Sequence, residues 1–255
     1  MPTELLNGIK IRYDVRGDGP AVLLSHGYSA TGRMWDGQLA VFSDRYRMIA
    51  WDMRGHGQTD SPDDPSLYST DHTVADMKAL LAHLGITRAV IGGLSLGGYV
   101  SLAFAAAHPG MVRALVICDS GPGYRNADAR EGWNRRAHER AAELEARGLD
   151  ALAGRSREMR EAMGHHASAQ GLAHAARGML AQRGATVIES LPKISVPTLV
   201  VVGDRDEPFL APSRYMAAKI PGARLEVIAD AGHSSNLDQP EAFNRALGAF
   251  LDGLR

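Results

Sequence analysis

The stretch from Val90 to Tyr99 constrains this chain more than any other. A short apolar run, Val90-Ile91-Gly92, passes through Gly93-Leu94-Ser95-Leu96-Gly97 into a run of small residues with helical character. Gly-x-Ser-x-Gly by itself is a weak signal, because glycine and serine are common. Its weight comes from context: a strand before and a helix after are the setting in which such a serine occupies a sharp strand-to-helix turn. Glycines flanking Ser95 leave room for that turn and push the hydroxyl out at the carboxyl end of a sheet. The helix begins beside it, so its unpaired N–H groups and positive dipole end can stabilise negative charge.

The rest of the chain supplies the sheet. Short runs rich in Val, Ile and Leu alternate with longer helical patterns, the sequence form of a mostly parallel sheet with helices on both faces. Thr3 to Leu6 and Ile9 to Val15 flank Asn7-Gly8, the dipeptide best suited to the positive φ angles of a tight hairpin, so the sheet begins antiparallel. Further strands are expected at Ala21 to Ser25, Met48 to Trp51, Ala89 to Gly92, Ala114 to Cys118, Thr198 to Val202 and Arg224 to Ile228, giving an eight-stranded α/β fold. Helices are expected from about Thr73 to Leu84, Gly97 to His108, Pro212 to Ile220 and Pro240 to Leu251, the last two opened by proline. From about Gly123 to Ser190 no strand-like run occurs, and Ala, Arg, Glu and Met dominate. Gly121-Pro122-Gly123 marks the entry to this stretch, and Pro192 with Pro197 brackets the return. It reads as a helical cap (123–190) inserted after the sixth strand, between two parts of one core (1–122 and 191–255). Such an insertion is either a solvated excursion or a lid over a site.

Composition removes several classes. The 255 residues, 45% apolar, suffice for one domain with a sizeable core. A formal net charge of −1 offers none of the Lys and Arg excess that displaces counterions from nucleic-acid phosphates. The single cysteine, Cys118, excludes a disulfide scaffold and a cysteine-rich zinc module; inside a strand, it reads as a small buried hydrophobe. Met1 to Lys10 lacks the basic region and apolar run of a signal peptide, and no stretch approaches the roughly 18 apolar residues of a membrane span. The expectation is a cytoplasmic enzyme acting on small molecules.

A serine hydroxyl is a weak nucleophile at neutral pH and needs a base, itself held in one tautomer by an acid. His233, in Ala231-Gly232-His233, follows the last strand and precedes the Pro240 helix, at the same end of the sheet as Ser95. His138, His165, His166 and His174 lie in the helical insertion and read as surface or structural residues. Asp206, in Gly203-Asp204-Arg205-Asp206-Glu207-Pro208, again follows a strand's carboxyl end; Asp204 is its rival, otherwise a turn cap or a partner for Arg205.

With serine, aspartate and histidine in that chain order, each on the loop after its own strand, the chain resembles the α/β-hydrolase fold superfamily, in particular serine-nucleophile esterases with a helical cap. The resemblance covers nearly the whole chain. It includes Ser25-His26-Gly27-Tyr28, Asp52-Met53-Arg54-Gly55-His56-Gly57, and Gly232-His233 with Pro240 and Phe243. It implies an oxyanion hole formed by the backbone N–H groups of Tyr28 and Leu96, with His26 shaping that loop or bordering the substrate pocket. Around Arg54 and His56 it implies a structural turn. Members that open epoxides or displace halide carry aspartate where this chain has Ser95. The synthase-like members of menaquinone biosynthesis place an arginine soon after the nucleophile motif, whereas Tyr99 stands here.

The leading expectation is therefore hydrolysis of a small carboxylic ester through an acyl-enzyme, with no metal or organic cofactor. Enol-lactones or carbon–carbon bonds are the alternative for the same triad. Arg125, Arg130, Arg135 and Arg136 offer carboxylate clamps for such substrates, or else pair along helix faces with Glu131, Glu139 and Glu143. A receptor-like protein that binds a small ligand with little turnover is a reading from another class. Trp133, Met159, Met163 and Met179, with Leu172 and Leu180, either line an adaptable pocket or pack internally.

Overall fold

The computed structural model describes residues 2–254. Asn7 and Gly8 take φ of 49° and 82°, closing the hairpin between β1 (Thr3–Leu6) and β2 (Ile9–Arg16) with Leu6 opposite Ile9. The remaining strands are β3 (Ala21–Ser25), β4 (Arg47–Trp51), β5 (Ala89–Leu94), β6 (Val112–Cys118), β7 (Thr198–Gly203) and β8 (Arg224–Ile228). They join in one eight-stranded sheet of order β1-β2-β4-β3-β5-β6-β7-β8, parallel throughout except at the β1–β2 and β2–β4 pairings.

Strand periodicity decides which core each residue enters. Leu23, Ile91, Leu115, Ile117 and Val200 face one layer, with helices α2 (Thr70–His83) and α3 (Leu96–Ala107). Their neighbours Val22, Leu24, Val90, Val116 and Val201 face the other, against α1 (Asp36–Phe42) and α10 (Pro240–Asp252). Phe243, Leu247, Phe250 and Leu251 give α10 its buried stripe at helical spacing.

Between β6 and β7 lie α4 (Ala127–Arg147), α5 (Arg157–Ala162), α6 (Ala169–Ala175), a π-helical turn (Ala176–Leu180) and α7 (Thr186–Ser190). Asn126 opens α4 by accepting from the Ala129 N–H (2.8 Å), and Gly148 at φ 60° ends it. Beyond β7, α8 (Glu207–Lys219) precedes β8, and the single turn α9 (Ser235–Asp238) precedes α10. Pro212 does not open a helix as expected. It lies inside α8, which begins at Glu207 because Pro208 already presets the first turn.

The turn after β4 is fastened by a buried ion pair. Arg54 reaches both Asp76 oxygens (Nε and Nη2, 2.7 Å each) and the Leu67 carbonyl (2.5 Å), while Asn7 donates to the same carboxylate (2.8 Å). The two charged side chains are only 2% and 0% exposed, so neither can turn to water if the other is lost. Asp76→Ala should therefore destabilise the fold by about 3–5 kcal/mol in urea unfolding, the usual result of stranding a buried charge. A change below about 1 kcal/mol would show that Arg54 finds another partner.

Candidate active site

Ser95 takes φ 55°, ψ −116°, a left-handed backbone that a side chain rarely adopts, immediately before the first residue of α3. The turn is held from three sides. The Ser95 N–H donates to the Cys118 carbonyl (2.9 Å), and the Ser95 carbonyl accepts from the Tyr99 N–H (3.0 Å) and the Ser120 hydroxyl (2.6 Å). Glycine is needed at 97 because a Cβ there would stand 2.2 Å from the Ser25 carbonyl; the turn and the loop after β3 touch through backbone. Leu96, at the first position of α3, has no intrahelical acceptor for its N–H. The Tyr28 N–H likewise has no acceptor among the described residues. Its hydroxyl donates instead to the Leu172 carbonyl in α6 (3.0 Å), tying this loop to the inserted helices.

On the neighbouring loops, His233 Nδ1 lies 2.9 Å from Asp206 Oδ2. A carboxylate accepts, so Nδ1 carries the proton and Nε2 is left as the basic nitrogen. Asp206 is 4% exposed and His233 25%. Burial alone would lower the imidazole pKa; the hydrogen bond and charge of Asp206, aided by Asp119 and Glu158, outweigh it and raise the pKa above 6.5. Phe209 stacks on the ring with centroids 4.9 Å apart. Ser95, His233, Asp206, Tyr28 and Leu96 all border one cavity of about 590 Å³ beneath the inserted helices. Ser95 and His233 face it without a hydrogen bond between them; such contacts are often loose until substrate arrives.

Asp204 is exposed and accepts from the Ala231 N–H (3.3 Å), bracing the histidine loop, while Arg205 pairs with Asp230 and not with Asp204. Asp119, which sequence reasoning missed, is a second brace. At φ 45° its buried carboxyl accepts from the Gly203 N–H (2.8 Å) and from the Ser235 N–H (3.2 Å) and hydroxyl (2.5 Å), joining the end of β6 to β7 and to the start of α9. Burial raises its pKa to about 7 against those bonds. Its sequence signal is an acid directly after an apolar strand that ends beside Ser95. Cys118, next to it, is fully buried, and burial raises its thiol pKa well above the usual value.

The expected pocket residues divide. Trp133 and Met159 line the cavity, with Leu180, Tyr99 and Gln182. His26, Met163 and Met179 do not. Met179 is wholly buried, and Met163, like it, packs into the hydrophobic core. His26 is fully enclosed behind the loop, where Nε2 accepts from the Met53 N–H (2.9 Å) and Nδ1–H donates to the Gly27 carbonyl (2.7 Å). Arg54 and His56 also lie off the cavity. Of the four arginines singled out as clamps, only Arg136 borders the cavity, its guanidinium over the Trp133 ring (5.8 Å). The helix-face pairing expected for those four is not formed; Glu143 pairs instead with Arg147 (3.7 Å) and Arg155. Arg140, Arg155 and Glu158 reach the cavity and were missed. The signal for Arg140 was its spacing, because Trp133, Arg136 and Arg140 share one face of α4.

His26, His56 and His166 form a buried cluster behind the Tyr28 loop, with ring centroids 4.9 Å (His26–His56) and 6.1 Å (His56–His166) apart. His166 Nδ1 accepts from the Gly57 N–H (2.9 Å) and Nε2–H donates to the Ser29 carbonyl (3.0 Å), so the inserted helices are fastened to the core through a neutral ring. Burial lowers all three pKa values, that of His26 to about 4. A lowered folded pKa gives stability that is present above the unfolded value of 6.5 and lost as pH falls through the folded value. Glutamine can accept and donate in the same places without titrating. His166→Gln should therefore reduce the slope of unfolding free energy between pH 6.5 and 5 by up to about 1.4 kcal/mol per pH unit, measured by urea titration. Equal slopes in the two proteins would contradict this.

The strand order, with its helical insertion after β6, is that of an α/β hydrolase. The chain belongs to the family described as the alpha/beta hydrolase fold, whose sequence profile matches residues 20–240. It is 31% identical to the 3-oxoadipate enol-lactonase 2 of Acinetobacter baylyi over 92% of this chain and 89% of that protein. With a putative 2-succinyl-6-hydroxy-2,4-cyclohexadiene-1-carboxylate synthase of Bacillus subtilis it shares 27% identity over 96% of each chain. Among solved structures it is similar to a thermophilic esterase from Thermogutta terrifontis, at 31% identity and TM-score 0.82 over 96% of this chain and 94% of that one. Among the described residues no helix is long and apolar enough to cross a membrane.

Proposed function

We propose that the protein hydrolyses a small carboxylic ester through an acyl-enzyme on Ser95. The observation that carries this reading is the Asp206–His233 pair at 2.9 Å on the same cavity as a serine held at φ 55°. His233 Nε2 takes the Ser95 proton as Oγ bonds to the ester carbonyl carbon, and the Leu96 and Tyr28 N–H groups hold the oxyanion. The carbon–oxygen bond to the leaving alcohol breaks, and the alcohol departs with the proton from His233. Water, deprotonated by the same nitrogen, attacks the acyl-enzyme, and the acid leaves as Ser95 recovers its proton. Asp206 holds the ring in the tautomer each step needs.

A lactone is an internal ester, and the same steps open it. The similarity to an enol-lactonase and the arginines on the cavity wall support this second reading. A panel of p-nitrophenyl esters of increasing chain length, simple lactones and vinylogous diketones tests both. Turnover is expected for esters or lactones; cleavage confined to the diketones would replace ester hydrolysis with carbon–carbon bond hydrolysis.

A further inference from the structure

The cavity wall formed by the inserted helices holds more positive charge than its own carboxylates use. Arg155 is engaged by Glu143, and the buried Glu158 accepts from the Ser156 and Ser234 hydroxyls. Arg136 rests on Trp133. Arg140 is half-buried on the same wall and makes no hydrogen bond or ion pair among the described residues. Glu143, one helical turn away, is already taken by Arg155 and Arg147. Burial is the main influence lowering the Arg140 pKa from its ordinary value, and the charges of Arg155 and Arg136 act in the same direction. A planar group with five donors, partly removed from water and crowded by like charges, is matched by a carboxylate, which can accept two of its N–H groups at once.

We infer that Arg140 is an anion clamp that binds a carboxylate carried by the substrate away from the bond Ser95 attacks. The inference rests on the reading of Ser95 as nucleophile and narrows the substrates to esters or lactones bearing a second, free acid group. Arg140 selects among substrates and takes no part in the bond changes.

Monomethyl and dimethyl adipate share chain length and leaving group and differ in one charge, so their kcat/KM ratio isolates the clamp. The wild-type enzyme should favour the monomethyl ester. Arg140→Gln should reduce that preference about 10- to 100-fold, mainly through KM, and Arg140→Lys should restore part of it. Independently of turnover, calorimetric titration of adipate into Ser95→Ala protein should show binding weakened about 10- to 100-fold when Arg140→Gln is added. An unchanged ester ratio or unchanged adipate affinity in the glutamine variant overturns the clamp. Arg140-dependent adipate binding with no hydrolysis of either ester upholds the clamp and removes the hydrolytic reading instead.

Discussion

Ser95→Ala should lower kcat/KM for every ester the protein turns over by about 10⁴- to 10⁶-fold, the largest effect expected of any single substitution. In the proposed mechanism the serine contributes the attacking oxygen, and the other serines on the cavity, Ser120 and Ser156, donate their hydroxyls to the Ser95 carbonyl and to Glu158. Cys118, the one other candidate for a strong nucleophile, is wholly buried, and burial raises its thiol pKa. The residual rate over water should come from the Tyr28 and Leu96 amides, which still polarise the carbonyl. Alanine carries the same Cβ and backbone groups as serine, so the positive φ and the backbone bonds of the turn should survive the change. Steady-state kinetics with a p-nitrophenyl ester read this directly. A loss below about tenfold would place the chemistry on another residue.

Asp206→Asn carries the next largest effect, about 10⁴-fold in kcat, with a signature in pH. Asparagine can donate its amide to His233 Nδ1, which moves the ring proton to Nε2, where it cannot accept from Ser95. In the wild type kcat/KM should rise with pH through a value above 6.5 and then level off, because the base must be neutral and Asp206 raises its pKa. In the variant the hydrogen bond and charge that opposed burial are gone, so this limb should shift to lower pH. A residue that merely supported the fold would lower activity without moving the limb. An unshifted limb would assign the titration to another group.

Much of this arrangement was legible in the sequence because it depends on strand ends. Ser95, Asp206 and His233 each follow an apolar run, and in a parallel sheet the carboxyl ends of successive strands share one edge, so chain order alone brings their loops together. The Asn7-Gly8 hairpin was legible for a similar reason: its φ angles are a property of two residues. What was not legible depends on helix rotation and packing. Met159, Met163 and Met179 are chemically alike, yet of the three only Met159 borders the cavity, while Met179, in the π-helical turn, is wholly buried and Met163 packs against the core. Arg136 and Arg140 differ from Arg125, Arg130 and Arg135 only in the face of α4 or its approach that they occupy. Asp119 and His166 act across strands and loops distant in the chain; an acid directly after an apolar strand marks Asp119, but no local pattern names its partners Gly203 and Ser235, or Ser29 for His166.

A stable covalent adduct on the Ser95 hydroxyl, formed by the same attack that would form the acyl-enzyme, is the most direct test of this account. Wild-type protein incubated with diethyl p-nitrophenyl phosphate should gain one diethylphosphoryl group as p-nitrophenolate leaves. Intact-mass measurement followed by peptide mapping should place that group on Ser95, with activity lost in proportion to labelling. His233→Ala should label far more slowly. Stoichiometric labelling at another residue, or full ester turnover by protein whose Ser95 is completely labelled, would contradict the account.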